Sequence, residues 1–100
     1  MNNTNTTAAA AVIENPLALS VSVKRPDRVE FTGIAKAVTS SNIRGTFDVL
    51  PYHSNFISLI KDKVTIHLHD TEPITYTLQS GIIKVTGNNV TILIGIETHT

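Results

Sequence analysis

The chain has 100 residues, of which 41% are hydrophobic and 16% are charged, enough for one domain with a single core and too few for two. Eight Lys and Arg residues balance eight Asp and Glu residues, so no strong net field attracts nucleic acid or anionic lipid. The lack of cysteine excludes disulfides, thiolate zinc sites and thiol nucleophiles, and it fits a reducing compartment such as the cytoplasm. No apolar run reaches the roughly 18 residues that span a bilayer, so we expect any membrane association to be indirect, through a partner.

Residues 1–16 have almost nothing to bury. Asn and Thr fill most of the first positions, and a run of alanines follows at 8–11. Segments of this composition lack the apolar side chains that would offset the entropy of ordering, so we expect a disordered tail. Pro16 punctuates the approach to the first strand, and we expect one folded domain over 17–100.

The first part of that domain shows a period of two. Residues 19–24 alternate apolar and polar side chains, the pattern of a strand with one buried face. Pro26-Asp27 predicts a turn, because proline fixes φ and aspartate can bond its own backbone. Strands are expected through 29–31 and 34–39, and Gly33 between them indicates a bulge or a close backbone approach.

The middle of the chain contains a corner. Residues 45–49 supply a strand, and Pro51, which has no N–H to donate to a ladder, marks an edge or corner. The apolar residues of 56–60 predict the next strand. Residues 64–69 place Val, Ile and Leu on one side and Thr and two His on the other, which makes this the clearest amphipathic strand.

Two hairpins complete the pattern. Residues 70–73 close one that returns through 74–78. The other pairs 81–86 with 90–96 around Gly87-Asn88-Asn89, where positive φ is easily adopted. About eight or more short strands without helical periodicity predict an all-β fold, an antiparallel β-sandwich or flattened barrel.

The best metal-like grouping is His67-Leu68-His69-Asp70. On a strand, residues two apart present both imidazoles on one face. A metal site also needs a third ligand and supporting hydrogen bonds, and the sequence identifies none. We therefore interpret the segment as an exposed strand face.

A Ser/His/Asp hydrolase would have to draw Ser54 or Ser58, His53 and Asp48 from one corner. Residues so close in sequence do not readily align as nucleophile, base and orienter, and no nucleophile elbow or Gly-rich oxyanion loop accompanies them. The phosphate-cradling pattern G-x-x-x-x-G-K is absent as well. We expect no catalytic residue and no residue that binds a cofactor or a metal.

Four motifs then follow one another in order. They are Phe-Thr-Gly at 31–33, Gly-Thr-Phe-Asp-Val-Leu-Pro-Tyr-His at 45–53, Leu-Gln-Ser-Gly-Ile-Ile-Lys-Val at 78–85 and Asn-Val-Thr-Ile-Leu at 89–93. Each motif alone is a weak signal, but the ordered set, which extends over 19–96, is specific. It resembles the N-terminal domain of the F-type ATP synthase epsilon subunit.

The resemblance implies a β-sandwich of about ten strands at the foot of the central stalk, the rotor of that enzyme. Such a domain is not itself catalytic and carries no cofactor. It binds the gamma subunit and rests on the polar loops of the c-ring, so that it serves proton-driven ATP synthesis, and it meets the alpha and beta subunits only indirectly. The implied location is the cytoplasmic face of the bacterial plasma membrane, without insertion into the lipid and without a nucleic-acid partner.

The resemblance also assigns interface candidates. In the family, the loop after the corner glycine approaches the c-ring, and the residues at the corner histidine and beyond face gamma. The corner itself is expected to be held by Phe47, Val49 and Pro51. The candidates for the c-ring are Arg44, Thr46 and Asp48, and those for gamma are Arg25, His53 and Ser58.

Three departures from the family pattern carry consequences. Tyr52 stands where the family usually has glycine, so the turn there is open to a different backbone conformation. Ser80-Gly81 replaces a glycine pair and leaves one flexible position. The sequence to Thr100 does not include the family's two C-terminal helices, so it is either a naturally short form or a truncated one. In both cases the helix-based restraint of ATP hydrolysis, and any nucleotide site built on those helices, is not carried over.

An alternative from another class is a free-standing β-sandwich module that binds carbohydrate or another protein. Carbohydrate-binding modules normally stack sugars on exposed aromatic rings. This chain has only Tyr52, Tyr76 and three Phe, most of them at positions predicted to face inward. The alternative is therefore ranked second, and an enzyme third.

Overall fold

The computed structural model describes residues 18–95. The predicted disordered tail over 1–16 lies outside this range, as do 96–100. Every regular element within it is a strand, and no helix there has the length and apolarity needed to cross a bilayer. The strands are β1 (Leu19–Arg25), β2 (Arg28–Ala35), β3 (Ala37–Asn42), β4 (Gly45–Val49), β5 (Phe56–His67), β6 (Ile74–Thr86) and β7 (Asn89–Ile94).

The strands pair in the order β2-β1-β7-β6-β5-β3-β4. All neighbouring pairs are antiparallel except β1 and β7, which run parallel. The all-β prediction is confirmed, with the correction that the sheet is mixed. The parallel pair places the first and last described strands side by side, and β2 and β4 form the two edges.

The long strands β5 and β6 turn this sheet into a sandwich. Their register shifts between Ile60 and Asp62, and Asp62 has a positive φ of 73°. On β6 the buried side chains change parity across the shift, from Leu78 to Ile83. A bulge bends a strand without ending its pairing, so the second half of β5 lies beside β3 whereas the second half of β6 lies beside β7. The sequence predicted separate strands at 56–60 and 64–69, and again at 74–78 and 81–86. Each of these two pairs is one continuous strand, β5 or β6, so the number of strands is seven.

A single core fills the space between the two halves. Every strand contributes to it, and each fully buried Val, Leu or Ile stabilises the fold by about 1.5–3 kcal/mol relative to exposure. Ser40 is the one buried polar residue in the described range, and its hydroxyl donates to the Lys63 carbonyl at 2.9 Å. The core side chains are Leu19, Val21, Val23, Ala35, Val38, Val49, Ile60, Val64, Ile66, Leu78, Ile83, Val85, Val90, Ile92 and Ile94.

Candidate functional site

The outer face of β5 is apolar where most sheet surfaces are polar. Ile57 and Leu59 are 68% and 74% exposed, and they alternate with residues that face the core. Leu59 lies opposite Ile82 on β6, and Ile82 lies opposite Leu93 on β7. An apolar row therefore crosses three neighbouring strands on the side away from the core.

The β3–β4 turn extends this surface. Ile43 at its tip is 93% exposed. Asn42 fixes the turn, because its Oδ1 accepts from the Arg44 N–H at 2.8 Å and its Nδ2 donates to Ser58 Oγ at 3.2 Å. Ile43 consequently borders the same shallow depression as the β5 residues. We call Ile43, Ile57, Leu59 and Ile82 the outer patch.

Basic side chains flank the outer patch. Lys84 lies opposite Ile57, and Lys24 lies opposite Leu93. Both lysines and Arg44 are exposed. Contiguous apolar surface on a soluble domain marks a contact site, and this rim favours a partner whose own apolar centre is bordered by acidic groups.

The predicted corner is a tight turn. The His53 N–H donates to the Leu50 carbonyl at 3.0 Å, and Tyr52 has a φ of 67°. Proline at the second position and a positive φ at the third are the features of a type II turn. Tyr52 thus adopts the conformation that glycine takes most easily, and its side chain is 73% exposed.

Two asparagines join this corner to the β6–β7 turn. The Tyr52 N–H donates to Asn88 Oδ1 at 2.8 Å, and the Gly87 N–H donates to Asn55 Oδ1 at 2.8 Å. The Asn88 carbonyl also accepts from the Ser20 N–H at 2.8 Å. We call the reciprocal pair of side-chain bonds the asparagine clasp. It was not foreseen from the sequence, where the only signal is an asparagine in each loop.

The predicted c-ring candidates lie along one edge of the sheet. Arg44 is at the β3–β4 turn, and Thr46 and Asp48 are exposed on the edge strand β4. The Asp48 carboxylate accepts a hydrogen bond from Thr39 Oγ1 at 2.5 Å, and Thr46 Oγ1 lies 3.3 Å from Ser41 Oγ. The structure therefore brings these three residues onto one polar edge.

The predicted gamma candidates are not brought together in one cluster. Ser58 is half-buried and bonded to Asn42, and His53 is at the corner, where Nδ1 lies 2.9 Å from the Ser54 carbonyl. Arg25 ends β1 and pairs with Glu30, its Nε lying 2.6 Å from Oε2. The Arg25 hydrogen bond lowers the pKa of Glu30, against an opposing effect of burial, and Arg28 lowers it further.

Neither the metal-like nor the hydrolase-like grouping is assembled. β5 ends at His67, so the expectation that His67 and His69 share one strand face was wrong. Over residues 18–95 no three His, Asp or Glu side chains lie close enough to hold a metal ion. Asp48 bonds Thr39 and His53 contacts the Ser54 carbonyl, so each is engaged with a group other than the one a catalytic triad requires.

Most of the aromatic rings lie against the core. Phe31, Phe47, Phe56 and Tyr76 pack on it, and Phe47 meets Phe56 edge to face with ring centroids 5.8 Å apart. Tyr52 is the one strongly exposed aromatic residue in the described range. Over residues 18–95, the sheet faces therefore offer no aromatic platform for stacking a sugar.

Residues 18–96 match the family described as the ATP synthase delta/epsilon chain beta-sandwich domain. The ATP synthase epsilon chain of Corynebacterium aurimucosum is 35% identical over 69 residues, which cover 67% of this chain and 57% of the relative. That of Chlorobaculum tepidum is 27% identical over 77 residues, which cover 76% of this chain and 88% of the relative.

One solved structure is described as the cryo-EM structure of Euglena gracilis mitochondrial ATP synthase, OSCP/F1/c-ring in rotational state 1. It contains a chain with a TM-score of 0.73 and 17% identity, and the match covers 79% of this chain and 51% of that one. At this identity the likeness concerns the fold. This chain thus spans a little over half the length of the Corynebacterium relative and about half of the Euglena chain.

Proposed function

The chain belongs to the family of ATP synthase delta/epsilon chains, as their β-sandwich domain, and on that premise we propose that it is a non-catalytic accessory subunit of an F-type ATP synthase. In this proposal it is part of the central stalk and links the gamma subunit to the c-ring during proton-driven ATP synthesis. It acts at the cytoplasmic face of the bacterial plasma membrane, as a peripheral member of the complex. The names of its bacterial relatives support the complex, and the outer patch supports the mode of binding.

The outer patch is the observation that carries the gamma contact. Its three strand residues lie on a sheet whose opposite face is packed on the core, and the Asn42 hydrogen bonds hold the turn that carries Ile43, so the patch is ordered before binding. Preorganised apolar side chains lose little entropy when a partner covers them. Clustered apolar anchors with a charged rim are the usual source of affinity in specific interfaces, and we therefore propose the patch as the docking surface for gamma.

The polar edge formed by β4 and the β3–β4 turn is the proposed contact with the c-ring. Arg44, Thr46 and Asp48 are exposed there and offer donors and acceptors rather than apolar area. Such an edge suits a partner that presents polar loops, which is the part of the c-ring that meets it in this proposal. Contacts of this kind give orientation and specificity more than affinity, so most of the binding energy is assigned to the outer patch.

The docking proposal is tested with Leu59→Lys. The full chain is co-expressed with the gamma subunit of the same organism, and the affinity of the purified pair is measured. A central leucine contributes about 1.5–3 kcal/mol when it is buried, so the variant should bind about 10- to 100-fold more weakly. Thr75→Lys is the control, because Thr75 is also an exposed strand residue but lies opposite Thr65, in the half of the sandwich that carries β3 and β4.

Circular dichroism of both variants checks that each remains folded. Equal affinities for wild type and Leu59→Lys would remove the outer patch as the docking surface. A wild-type chain that does not bind gamma at all would remove the stalk function itself. Recovery of the c subunit together with the tagged chain from native membranes tests the second contact independently.

A further inference from the structure

We propose that Tyr52 is a second anchor for the gamma subunit, separate from the outer patch, and that Asn88 is the residue that positions it. The assignment rests on the proposed function, since it names a further contact with the same partner. Three observations support it: an unusual backbone conformation, a hydrogen-bonded clasp that holds it, and the place of the corner beside the outer patch.

Tyr52 occupies a position at which a side chain is disfavoured. Its φ of 67° lies in the left-handed region, where glycine is free of cost and a residue with a Cβ is strained. The side chain does not repay this strain by packing, because it is 73% exposed. Strained residues of this kind cluster where a side chain serves function, and an exposed tyrosine at a fixed position is the residue type most typical of interface anchors.

The asparagine clasp holds the tyrosine in this conformation. Asn88 Oδ1 accepts from the Tyr52 N–H, and the Asn88 carbonyl oxygen accepts from the Ser20 N–H. Three segments of the chain therefore meet at one half-buried residue. Asn55 accepts the Gly87 N–H in return. Without the Asn88 side chain the Tyr52 N–H loses its acceptor, and the turn becomes free to leave the left-handed region.

The corner is continuous with the proposed docking surface. Asn55, which forms half of the clasp, is two residues before Ile57 of the outer patch. The clasp also ties the corner to the β6–β7 turn, and Lys84, three residues before Gly87, lies opposite Ile57. A partner that covers the beginning of β5 therefore lies near the corner as well, and this is why gamma is assigned to Tyr52.

The tyrosine is tested by comparing Tyr52→Gly and Tyr52→Phe in the full chain with purified gamma. Glycine keeps the backbone conformation and removes the ring, so it should weaken binding about 10-fold or more, whereas phenylalanine should stay within about threefold of wild type. Leu59→Lys is measured in the same series to show that the outer patch is engaged. Because glycine relieves the strain, lower affinity of this variant cannot be attributed to unfolding.

Asn88 is tested as a positioning residue with Asn88→Ala and Asn88→Asp. Alanine should weaken gamma binding about threefold to tenfold, and aspartate, which keeps an acceptor oxygen, should restore most of it. In the Tyr52→Gly background, alanine should cause no further loss, because no ring remains to be positioned. Hydrogen exchange of the Tyr52 amide, measured without gamma, should be slow in wild type and faster in Asn88→Ala.

The outcomes separate the proposals. If wild type binds gamma and Leu59→Lys weakens it, but Tyr52→Gly binds like wild type, the tyrosine anchor is overturned and the stalk function stands. If Asn88→Ala speeds exchange of the Tyr52 amide yet binds gamma like wild type, the positioning role is overturned. It is also overturned if Asn88→Ala lowers gamma affinity by the same factor in the Tyr52→Gly background. If wild type does not bind gamma, the stalk function and the anchor are overturned together.

Discussion

Replacing Gly81 with alanine should destabilise the fold through a backbone clash. An ideal Cβ at this position lies 2.6 Å from the Leu93 carbonyl oxygen and 2.9 Å from Leu78 Cδ1. Overpacking of this kind costs about 1–3 kcal/mol, and a strained ladder hydrogen bond adds about 1 kcal/mol. Alanine recovers about 0.4–1 kcal/mol by restricting the unfolded chain. We therefore expect a net loss of about 1–3.5 kcal/mol in the free energy of unfolding.

Gly33→Ala is the matched control, since Gly33 is also a strand glycine with a close neighbour. Its ideal Cβ lies 2.9 Å from Phe31 Cζ, the end of a side chain that can swing aside. We expect this variant to stay within about 1 kcal/mol of wild type, because the side chain yields where the Leu93 backbone cannot. Urea denaturation followed by circular dichroism measures the free energy of unfolding of both variants. In thermal denaturation, the Tm of the Gly81 variant should fall by about 4–8 °C for each kcal/mol lost.

Equal losses in the two variants would refute this reasoning, as would a Gly81→Ala protein as stable as wild type. Either result would mean that β6 and β7 do not approach as closely as described. The same variant also tests whether the core supports the proposed docking surface. Ile82 and Leu93 lie next to the clash and face outward, so a displaced β7 should also weaken gamma binding.

Three further predictions concern stability. The pKa of Glu30 is lowered, so its ion pairs stabilise the fold at pH values above the usual pKa of 4.5 and cease to do so as pH falls through the lowered pKa. Glu30→Gln should therefore flatten the acid side of a profile of Tm against pH. An unchanged profile would contradict the pairing. Tyr52→Gly should leave the free energy of unfolding unchanged or raise it by up to about 1 kcal/mol in urea denaturation, because glycine adopts positive φ without strain; a clear loss would contradict the strain argument. Ser40→Ala leaves the Lys63 carbonyl without its donor and should cost about 1–2 kcal/mol in the same assay, whereas exposed Ser20→Ala should stay within about 0.5 kcal/mol.

Strand positions and their buried faces were predictable because both depend on local pattern. The alternation of Leu19, Val21 and Val23 with polar residues identified the inner face of β1, and these three are buried as expected. The final hairpin likewise followed from its turn residues, and Gly87 has the positive φ of 60° that such a turn needs. A period of two is a property of one strand alone, so it can be read without knowing the neighbours.

Strand neighbours and bends were not predictable in the same way. Nothing in the pattern of β1 indicates that it lies parallel to β7, since pairing depends on how the whole chain closes. The shift at Asp62 was also missed, because aspartate looked like an ordinary polar position and not like the site of a bulge. Tyr52 shows the converse case, in which tertiary contacts hold a residue in a conformation that its own propensity disfavours.

The sequence does contain a signal for the outer patch. Residues 56–60 read Phe-Ile-Ser-Leu-Ile, with apolar residues on both parities, whereas a strand that faces solvent on one side should alternate. A strand that is apolar on both faces predicts that both will be covered. The asparagine clasp had no comparable signal, because its Tyr52–Asn88 bond joins loops 36 residues apart.

The two proposed contacts are connected through the sheet by a short path. β5 carries the outer patch in its first half and pairs with β3 in its second half, and β3 pairs with the polar edge strand β4. Ser58 and Ser40 add side-chain bonds along this path, one to Asn42 and one to the Lys63 carbonyl. In the proposed arrangement, a force applied by gamma on the outer patch would reach β4 through the hydrogen-bond ladders between β5 and β3 and between β3 and β4. Local unfolding along this path would have to break these ladders, which stabilises the path. The proposed rotor role needs that resistance between the two proposed contacts, and β5 contributes to it because one continuous strand serves both halves of the sandwich.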